Sequence, residues 1–438
     1  MIVAGTLTPE FGLAEESILT DDFIRQLINV GEVDLLVAVP THNNAKTVGP
    51  VLQAIQAGIL KGFTRERTAI LNVDGGSRDG TPDVVTGASI DDARRSYNSH
   101  ALRTLPSIST RYASSPSSET ALHTILSAAE LLRAKACAVI SPEAVNIEPE
   151  WVPRLLRPIY HDNFDFVAPV YRRHKFEGVL VSNLVYPMTR ALYGKKVREP
   201  YSSEFGFSGR FGGQFLTQHV WRHEPGQFGT ELEMILSAMS GGYSISQSFL
   251  GTKSRSEHPG DLVEAMRQTV GVLYSSLETN FATWSGTEKS TAENSKPLMT
   301  IGPEYETNLD PVRVNRKRLK EMFTAGVGEL EPVLRSLLSP PTLSELQKVA
   351  ALDEETCRYP AELWAKTVYE FAASYHKSVI SRDHIVQALV PLYRGRMFTF
   401  LVENRSASEW DIESSIENLC REFENLRPYL LRVWNGGK

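Results

Sequence analysis

The fold is decided by residues 72–81, which read Asn72-Val73-Asp74-Gly75-Gly76-Ser77-Arg78-Asp79-Gly80-Thr81. The apolar residues before this stretch predict a strand over Thr68–Asp74, and a helix is predicted to begin around Asp79–Thr81. An acid at the carboxyl end of a parallel strand, followed by glycines, places a carboxylate and free N–H groups where open α/β sheets bind ligands. The alternative is an ordinary turn in which Asp74 only caps the chain that follows.

Strand and helix patterns alternate on both sides of this stretch. We predict a helix over 21–30 and strands over 34–40, 68–74, 110–113, 136–141, 165–170 and 243–249, with a turn or short strand over 204–209. Such alternation predicts an α/β fold with a mostly parallel sheet between helices. Residues 1–32 form a lead-in, 33–283 the α/β domain, 284–304 a linker and 305–438 an all-α domain.

The helices of the last domain are predicted over 310–323, 329–338, 344–350, 361–374, 382–402 and 408–432. One of them carries Trp364, Tyr369, Phe371 and Tyr375. These aromatic residues would form its core face or pack against a partner subunit, so a homodimer is one expected assembly.

Composition excludes several classes of protein. The 438 residues carry a net charge of −6, which gives no reason to expect binding to nucleic acid. The three cysteines are far apart, so a disulfide framework or a structural zinc site is not expected. The first residues show no signal-peptide pattern and no apolar run suggests a membrane span, so we expect a cytoplasmic protein.

Several motifs, taken together, resemble a known family. They are Val39-Pro40-Thr41-His42-Asn43-Asn44, Val73–Thr81, Ile147-Glu148-Pro149-Glu150-Trp151, Pro200–Ser208 and Leu250-Gly251-Thr252-Lys253. In this order they are similar to GT-A glycosyltransferases of the family 2 type, in particular to the retaining synthases of glucosylglycerate, glucosyl-3-phosphoglycerate and mannosylglycerate. The resemblance covers roughly residues 33–280. It implies a GT-A fold and hexosyl transfer from a uridine or guanosine diphosphate hexose to a small hydroxylated acid such as glycerate.

The chain departs from the family where the diphosphate would bind. The family's Asp-x-Asp position reads Ser141-Pro142-Glu143, and its Gly-Lys-Gly position reads Ser117-Ser118-Glu119. Its Gly-Gly-Asp position reads Ser202-Ser203-Glu204, and Arg255 stands where a metal-binding His is expected. The resemblance implies Mg²⁺ or Mn²⁺, but these changes disfavour either ion, and Glu143 alone would remain as a ligand if a metal were retained.

Two interpretations of these departures compete. In the first, the Arg255 guanidinium replaces the metal and Glu143 orients it, since arginine can bind a diphosphate without an ion. In the second, Glu143 and Arg255 neutralise each other in a vacated site, and Glu119 repels phosphates. The protein would then be a catalytically silent homologue that serves as a scaffold, regulator or sugar-binding subunit. A dinucleotide-dependent dehydrogenase fits less well, because Gly75-Gly76-Ser77 is not its glycine fingerprint.

The resemblance assigns roles to individual residues. Those expected to bind the donor are Pro40, Thr41, Asn43, Asp74, Gly75, Ser118 and Glu143. Those expected to act in catalysis are Glu231, Glu204 and Arg255. Asp74 would contact the nucleoside, Glu143 and Arg255 would face the diphosphate, and Glu204 and Glu231 would face the acceptor. For Glu231 the alternative is a solvated acid in the first turn of a helix.

Overall fold

The computed structural model of the protein describes residues 19–98, 105–112, 117–221, 229–253, 261–286 and 314–436, with the main chain alone at 90–98. Seven strands form one sheet. They are β1 (Leu35–Thr41), β2 (Thr68–Asp74), β3 (Ser107–Arg111), β4 (Ala136–Val139), β5 (Phe166–Arg172), β6 (Phe205–Ser208) and β7 (Ile245–Thr252).

The strand order in the sheet is β3-β2-β1-β4-β6-β5-β7. β6 runs antiparallel to both of its neighbours, and the other pairs are parallel. In register, Thr41 at the end of β1 lies beside Asp74 at the end of β2. Phe205, the first residue of β6, lies beside Val139, the last of β4. The loops after β1, β2 and β4 and the chain before β6 therefore meet at one edge of the sheet.

Helices connect and cover these strands in the first part of the chain. They are α1 (Asp21–Val30), α2 (Val48–Gly62), α3 (Thr81–Asn98), α4 (Ser118–Leu131), α5 (Trp151–Tyr160), α6 (Tyr186–Tyr193), α7 (Gly209–Gln218), α8 (Thr230–Ser240), α9 (Leu262–Met266), α10 (Val272–Thr279) and α11 (Phe281–Gly286). π-Helical turns over Val181–Val185 and Arg267–Gly271 lead into α6 and α10. The predicted fold class, a mostly parallel sheet flanked by helices with an all-α region after it, is confirmed.

The C-terminal region is helical throughout its described length, apart from short connections. Its helices are α12 (Arg316–Glu329), α13 (Glu331–Leu337), α14 (Pro340–Ala351), α15 (Ala361–His376), α16 (Arg382–Glu403), α17 (Glu409–Asn425) and α18 (Arg427–Trp434). Among the helices of the described residues, none is long and apolar enough to cross a membrane.

The helical region shares its core with the sheet. One hydrophobic cluster contains Leu36 of β1, Leu232 of α8 and Trp364 of α15. The Trp364 indole donates a hydrogen bond to the Asn183 carbonyl at 2.7 Å, and the buried Arg190 guanidinium forms ion pairs with two acids of α17. The aromatic residues of α15 are buried in this contact. Within one chain they therefore form a core face, which is one of the two roles predicted for them.

Several element predictions differ from the structure. The helix α7 was not predicted, because Gly209, Gly212 and Gly213 disfavour helix. It is stabilised instead by the Ser208 N-cap and by the packing of Phe211 and Phe215 in the core. The single helix predicted over 408–432 is wrong: α17 and α18 are separate helices that meet at Leu426. The strand predicted over 110–113 begins earlier, at Ser107, and Ala113 lies outside the described residues.

Candidate functional site

Asp74, which is 2% exposed, organises the turn after β2. Oδ2 accepts hydrogen bonds from the N–H groups of Gly76 at 3.1 Å and Ser77 at 2.9 Å. Oδ1 accepts from the hydroxyl groups of Ser77 at 2.5 Å and Thr41 at 3.1 Å. Both carboxylate oxygens are thus engaged by the protein. The Arg111 guanidinium lies farther away, with Nε 3.9 Å from Oδ2.

The loops after β1 and β2 are bonded to each other. Asn43 adopts a left-handed backbone conformation, with φ 57°, and its N–H donates to the Ser77 hydroxyl at 2.8 Å. Its side-chain oxygen accepts from the Arg78 N–H at 2.9 Å. The Asn44 N–H donates to the Thr81 hydroxyl, and the Ala45 N–H to the Asp79 carboxylate. We call the two bonded loops, residues 41–45 and 74–81, the Asp74 turn.

Gly75 fits this turn for a steric reason. A Cβ atom at this position would lie 2.7 Å from the Tyr112 hydroxyl and 3.4 Å from the Thr41 carbonyl. The Gly75 N–H also donates to that carbonyl at 2.8 Å, and its own carbonyl lies 3.1 Å from Nδ1 of His42. The glycine therefore allows two strand ends to approach each other closely.

These contacts bear on the predicted donor-binding residues. Pro40, Thr41, Asn43, Asp74 and Gly75 lie together at the ends of β1 and β2. Asp74 and Thr41 are buried and bonded within the turn, as a turn-capping acid would be. The side chain of Asn43 is exposed. A nucleoside contact through Asp74 stays a prediction.

Glu143 lies on the loop after β4. The residue is exposed, and its N–H donates to the Ser141 hydroxyl at 3.2 Å. Three residues later, the side-chain amide of Asn146 donates to the Thr252 carbonyl at the end of β7. This contact joins the Glu143 loop to the strand that precedes Arg255. Arg255 itself lies outside the described residues, and the predicted Glu143–Arg255 pair with it.

Glu204 is a buried acid, 4% exposed, just before β6. Its Oε2 accepts hydrogen bonds from the Tyr171 hydroxyl at 2.5 Å, the Ser202 hydroxyl at 3.1 Å and the Lys253 ammonium at 3.2 Å. Burial alone would raise the pKa of Glu204, but the charge of Lys253 and these hydrogen bonds lower it below the ordinary value of 4.5. Glu204 is therefore held as a carboxylate with a cation beside it.

Glu231 is an acid whose pKa is shifted in the opposite direction from that of Glu204. It lies in the first turn of α8, and burial raises its pKa although the neighbouring Ser118 hydroxyl opposes the shift. The charge of Glu231 also contributes to the raised pKa of Tyr201, which follows mainly from burial. The structure thus brings Ser118, a predicted donor residue, beside Glu231, a predicted catalytic residue.

Two neighbouring residues relate Glu204 to Glu231: the charge of Glu231 contributes to the raised pKa of Tyr201, and the next residue, Ser202, donates a hydrogen bond to Glu204. We call the two acids and the residues that interact with them the Glu204–Glu231 cluster; its members are Ser118, Tyr171, Tyr201, Ser202, Glu204, Glu231 and Lys253. No role was predicted for Tyr171 or Lys253 from the sequence. Lys253 is the last residue of the motif Leu250–Lys253, and this motif could have pointed to it. The sequence around Tyr171 contains no motif that would have pointed to that residue.

In the second interpretation of the departures, Glu119 adds a negative charge near the phosphates. The residue is fully buried, and its Oε1 lies 3.6 Å from Nε2 of His219 at the end of α7. The same imidazole nitrogen lies 3.5 Å from Oε2 of Glu233. Glu119 is therefore buried beside an imidazole, and its repulsion of a phosphate stays a prediction.

A divalent cation at the loop after β4 would need a set of ligands from the residues around it. Mg²⁺ and Mn²⁺ prefer several oxygen ligands in one place. On the loop after β4, Glu143 is the one acid at the expected position, with a serine and a proline before it. Within the described ranges, no group of three or more His, Cys, Asp or Glu side chains could hold a metal ion. The residues described there do not fit the ion that the resemblance implies.

Comparison with known proteins gives matches among solved structures alone. No protein-family model matches the chain, and no curated protein matches it. Glucosyl-3-phosphoglycerate synthase from Mycobacterium tuberculosis, in complex with Mn²⁺, uridine diphosphate and phosphoglyceric acid, is 21% identical with a TM-score of 0.43. The match covers 59% of this chain and 82% of that one.

Two further structures of the same Mycobacterium tuberculosis enzyme are similar to the chain to the same degree. The complex with Mn²⁺, uridine-diphosphate-glucose and phosphoglyceric acid is 20% identical with a TM-score of 0.42, and the match covers 59% of this chain and 84% of that one. A structure named without ligands is 22% identical with a TM-score of 0.42, covering 58% of this chain and 84% of that one. The ligands named are those of the mycobacterial protein.

Proposed function

We propose that the protein is a GT-A glycosyltransferase that transfers a hexosyl group from a uridine or guanosine diphosphate sugar to a small hydroxylated acid such as glycerate. The observation that carries the proposal is the Glu204–Glu231 cluster. At one edge of the sheet it combines an acid with a raised pKa and a half-buried lysine paired with a second acid. Groups with opposed pKa shifts at the edge where α/β sheets bind ligands are typical of catalytic sites.

Two members of the cluster, Glu231 and Lys253, have proposed parts in the transfer, together with Arg255. The bond between the anomeric carbon and the diphosphate oxygen breaks, and a bond from that carbon to the acceptor oxygen forms. Glu231 receives the acceptor proton, since a raised pKa makes a carboxylate a better base near neutral pH. Lys253 and Arg255 stabilise the negative charge on the departing diphosphate, which is the role a cation has in such a step.

The donor side of the proposal uses the Asp74 turn. The buried Asp74 carboxylate fixes the turn, and the nucleoside would contact the exposed Asn43 amide and the Arg111 side chain at its rim. Glu143 would then orient Arg255 from the neighbouring loop. In this arrangement the transfer needs no divalent cation.

A sugar-transfer assay tests this function. The full chain is incubated with uridine-diphosphate-glucose or guanosine-diphosphate-mannose and glycerate, and the glycoside and free nucleoside diphosphate are measured by mass spectrometry. Glu231→Gln should lower kcat by about 100-fold or more, because the base is lost. Glu321→Gln, on the exposed face of α12, is the matched control and should keep full activity. Equal rates for the two variants would contradict the role of Glu231.

A second function is favoured by a specific observation. Both oxygens of the Asp74 carboxylate are bonded within its own turn, and the described residues contain no group of side chains that could hold a metal ion. Both features are compatible with a homologue that binds a sugar or regulates a partner without catalysis. In the same assay, nucleotide-sugar binding without any glycoside from either donor would favour this second function.

A further inference from the structure

His42 is an exposed residue on the loop after β1, and both nitrogens of its ring face polar atoms of the Asp74 turn. Nδ1 lies 3.1 Å from the Gly75 carbonyl oxygen, and Nε2 lies 3.0 Å from the side-chain nitrogen of Asn43. The imidazole therefore joins the loop after β1 to the loop after β2.

The atoms around this imidazole permit a single arrangement of hydrogens. The Gly75 carbonyl can only accept, so Nδ1 must carry a hydrogen. The side-chain oxygen of Asn43 accepts from the Arg78 N–H at 2.9 Å, and because that N–H can only donate, the amide nitrogen must face His42. An amide nitrogen only donates, so Nε2 must be without a hydrogen. His42 is therefore neutral in this network, with its hydrogen on Nδ1.

The same network fixes the Asn43 amide. The main chain of this residue is held as well, since its N–H donates to the Ser77 hydroxyl at 2.8 Å. The amide nitrogen has a second hydrogen, which meets no acceptor among the described residues. Because Asn43 is exposed, this hydrogen can reach a carbonyl oxygen or another acceptor atom of a bound nucleoside.

We propose that His42 is a positioning residue for the nucleotide sugar: in its neutral form it holds the Asn43 amide with one N–H open to the nucleoside. Because it concerns the donor site, this role rests on the proposed function. Histidine side chains gain charge between about pH 8 and pH 5, and protonation would set a hydrogen of Nε2 against those of the Asn43 amide. If the amide turned over to accept from Nε2, its nitrogen would face the Arg78 N–H instead. The donor should therefore bind more weakly in acid.

None of the neighbouring charges is placed to keep the imidazole protonated. The acids of the neighbouring loop and helix are Asp74, Asp79 and Asp83, and the cations nearby are Lys46, Arg78 and Arg111. Asp74 is bonded within the turn, Asp79 accepts from the Thr81 hydroxyl, and the Tyr112 hydroxyl donates to the Ser117 carbonyl. Within the described ranges, no carboxylate forms an ion pair with His42.

Nitrogen NMR of the full chain labelled with ¹⁵N-histidine tests the arrangement of hydrogens without any ligand. Comparison with His42→Gln identifies the His42 signals among those of the 10 histidines. At pH 8 we expect the hydrogen on Nδ1, which is the tautomer that free histidine populates less. A hydrogen on Nε2 would overturn the proposal, whatever the protein binds.

Calorimetric titration with uridine-diphosphate-glucose and guanosine-diphosphate-mannose at pH 8 and pH 5.5 tests the effect on binding. His42→Gln offers one donor and one acceptor without titrating, and other titrating groups act equally on both proteins. We expect the loss of affinity from pH 8 to pH 5.5 to be about fivefold larger in the wild type than in His42→Gln, as the loss of one hydrogen bond predicts. His161→Gln, an exposed histidine at the end of α5, is the matched control and should behave like the wild type.

Asn43→Ala separates positioning from a direct contact between His42 and the ligand. In that background His42→Gln should change neither the affinity nor its pH dependence, and a change would overturn the positioning role. Circular dichroism at both pH values confirms that each variant is folded. Donor binding with the same pH dependence in the wild type and His42→Gln would overturn this proposal and leave the proposed function standing. No binding of either donor at either pH would overturn both.

Discussion

Asp74 and Glu204 are both buried acids at the same edge of the sheet, and they differ in their partners. Asp74 accepts hydrogen bonds from neutral N–H and hydroxyl groups of its own turn and of β1. Glu204 has a direct cationic partner, Lys253, which lies 49 residues away in sequence. The first acid shapes a loop, whereas the second is a buried carboxylate held beside an ammonium group. Sequence position at a strand end does not distinguish these two roles.

The largest effect is expected for Asp74→Ala. The substitution leaves two N–H groups and two hydroxyl groups without their acceptor in a buried turn, so the free energy of unfolding should fall by about 3 kcal/mol. Urea denaturation at neutral pH measures it. Asp79→Ala, in the same turn but exposed, is the control and should destabilise the protein less. Equal losses for the two variants would show that Asp74 does not organise the turn.

Lys253→Met should have the next largest effect on stability. It leaves the Glu204 carboxylate buried without its cation, which should lower the free energy of unfolding by about 2 kcal/mol at pH 7. In the Glu204→Gln, Lys253→Met double variant, Glu204→Gln removes the unpaired buried charge. The double variant should therefore recover part of the stability that Lys253→Met alone loses. Urea denaturation of the two single variants and the double variant gives the coupling. No coupling would mean that the two side chains act independently.

The pH dependence of this pair has a defined sign. The folded-state pKa of Glu204 is lowered, so its contribution to stability is present above the ordinary value of 4.5 and is lost as pH falls through the lower folded-state pKa. The difference between wild type and Glu204→Gln should therefore shrink toward acid pH. A difference that grows below pH 4.5 would contradict the assignment.

Glu231→Gln should give a smaller effect of the opposite sign. Burial raises the folded-state pKa of Glu231, so the charged form costs stability once pH rises through that value. The variant should be more stable than the wild type at pH 8, by less than about 1 kcal/mol, and equal to it near pH 4. Thermal unfolding over this pH range measures it, and a loss of stability at pH 8 would contradict it.

Arg111→Gln should have the smallest effect on stability. Its side chain is 60% exposed and its nitrogen is 3.9 Å from Asp74, so removal of the charge should change the free energy of unfolding by less than about 0.5 kcal/mol. The same urea denaturation compares it with Asp74→Ala. A loss as large as that of Asp74→Ala would mean that the two regions do not differ, since Asp74 would then also depend on a cation.

The sequence predicted much of the α/β architecture because its strands are short apolar runs with polar ends. The bounds of α1 and β2 match the structure at both ends. The antiparallel direction of β6 was not predicted, since a four-residue strand has no signal for direction, and α7 was missed because of its glycines. The partners of Glu204 come from three separate segments, so only the folded chain shows which cation it has.

The proposed transfer requires that the strand-end crevice binds a nucleotide sugar through protein cations rather than through a metal ion. Calorimetric titration of the full chain with uridine-diphosphate-glucose and guanosine-diphosphate-mannose, each in EDTA and in Mn²⁺, measures this requirement. We expect one donor to bind with the same affinity in both buffers, and Lys253→Met to weaken that binding at least tenfold. Binding that appears only with Mn²⁺, or no binding of either donor, would contradict the proposed transfer.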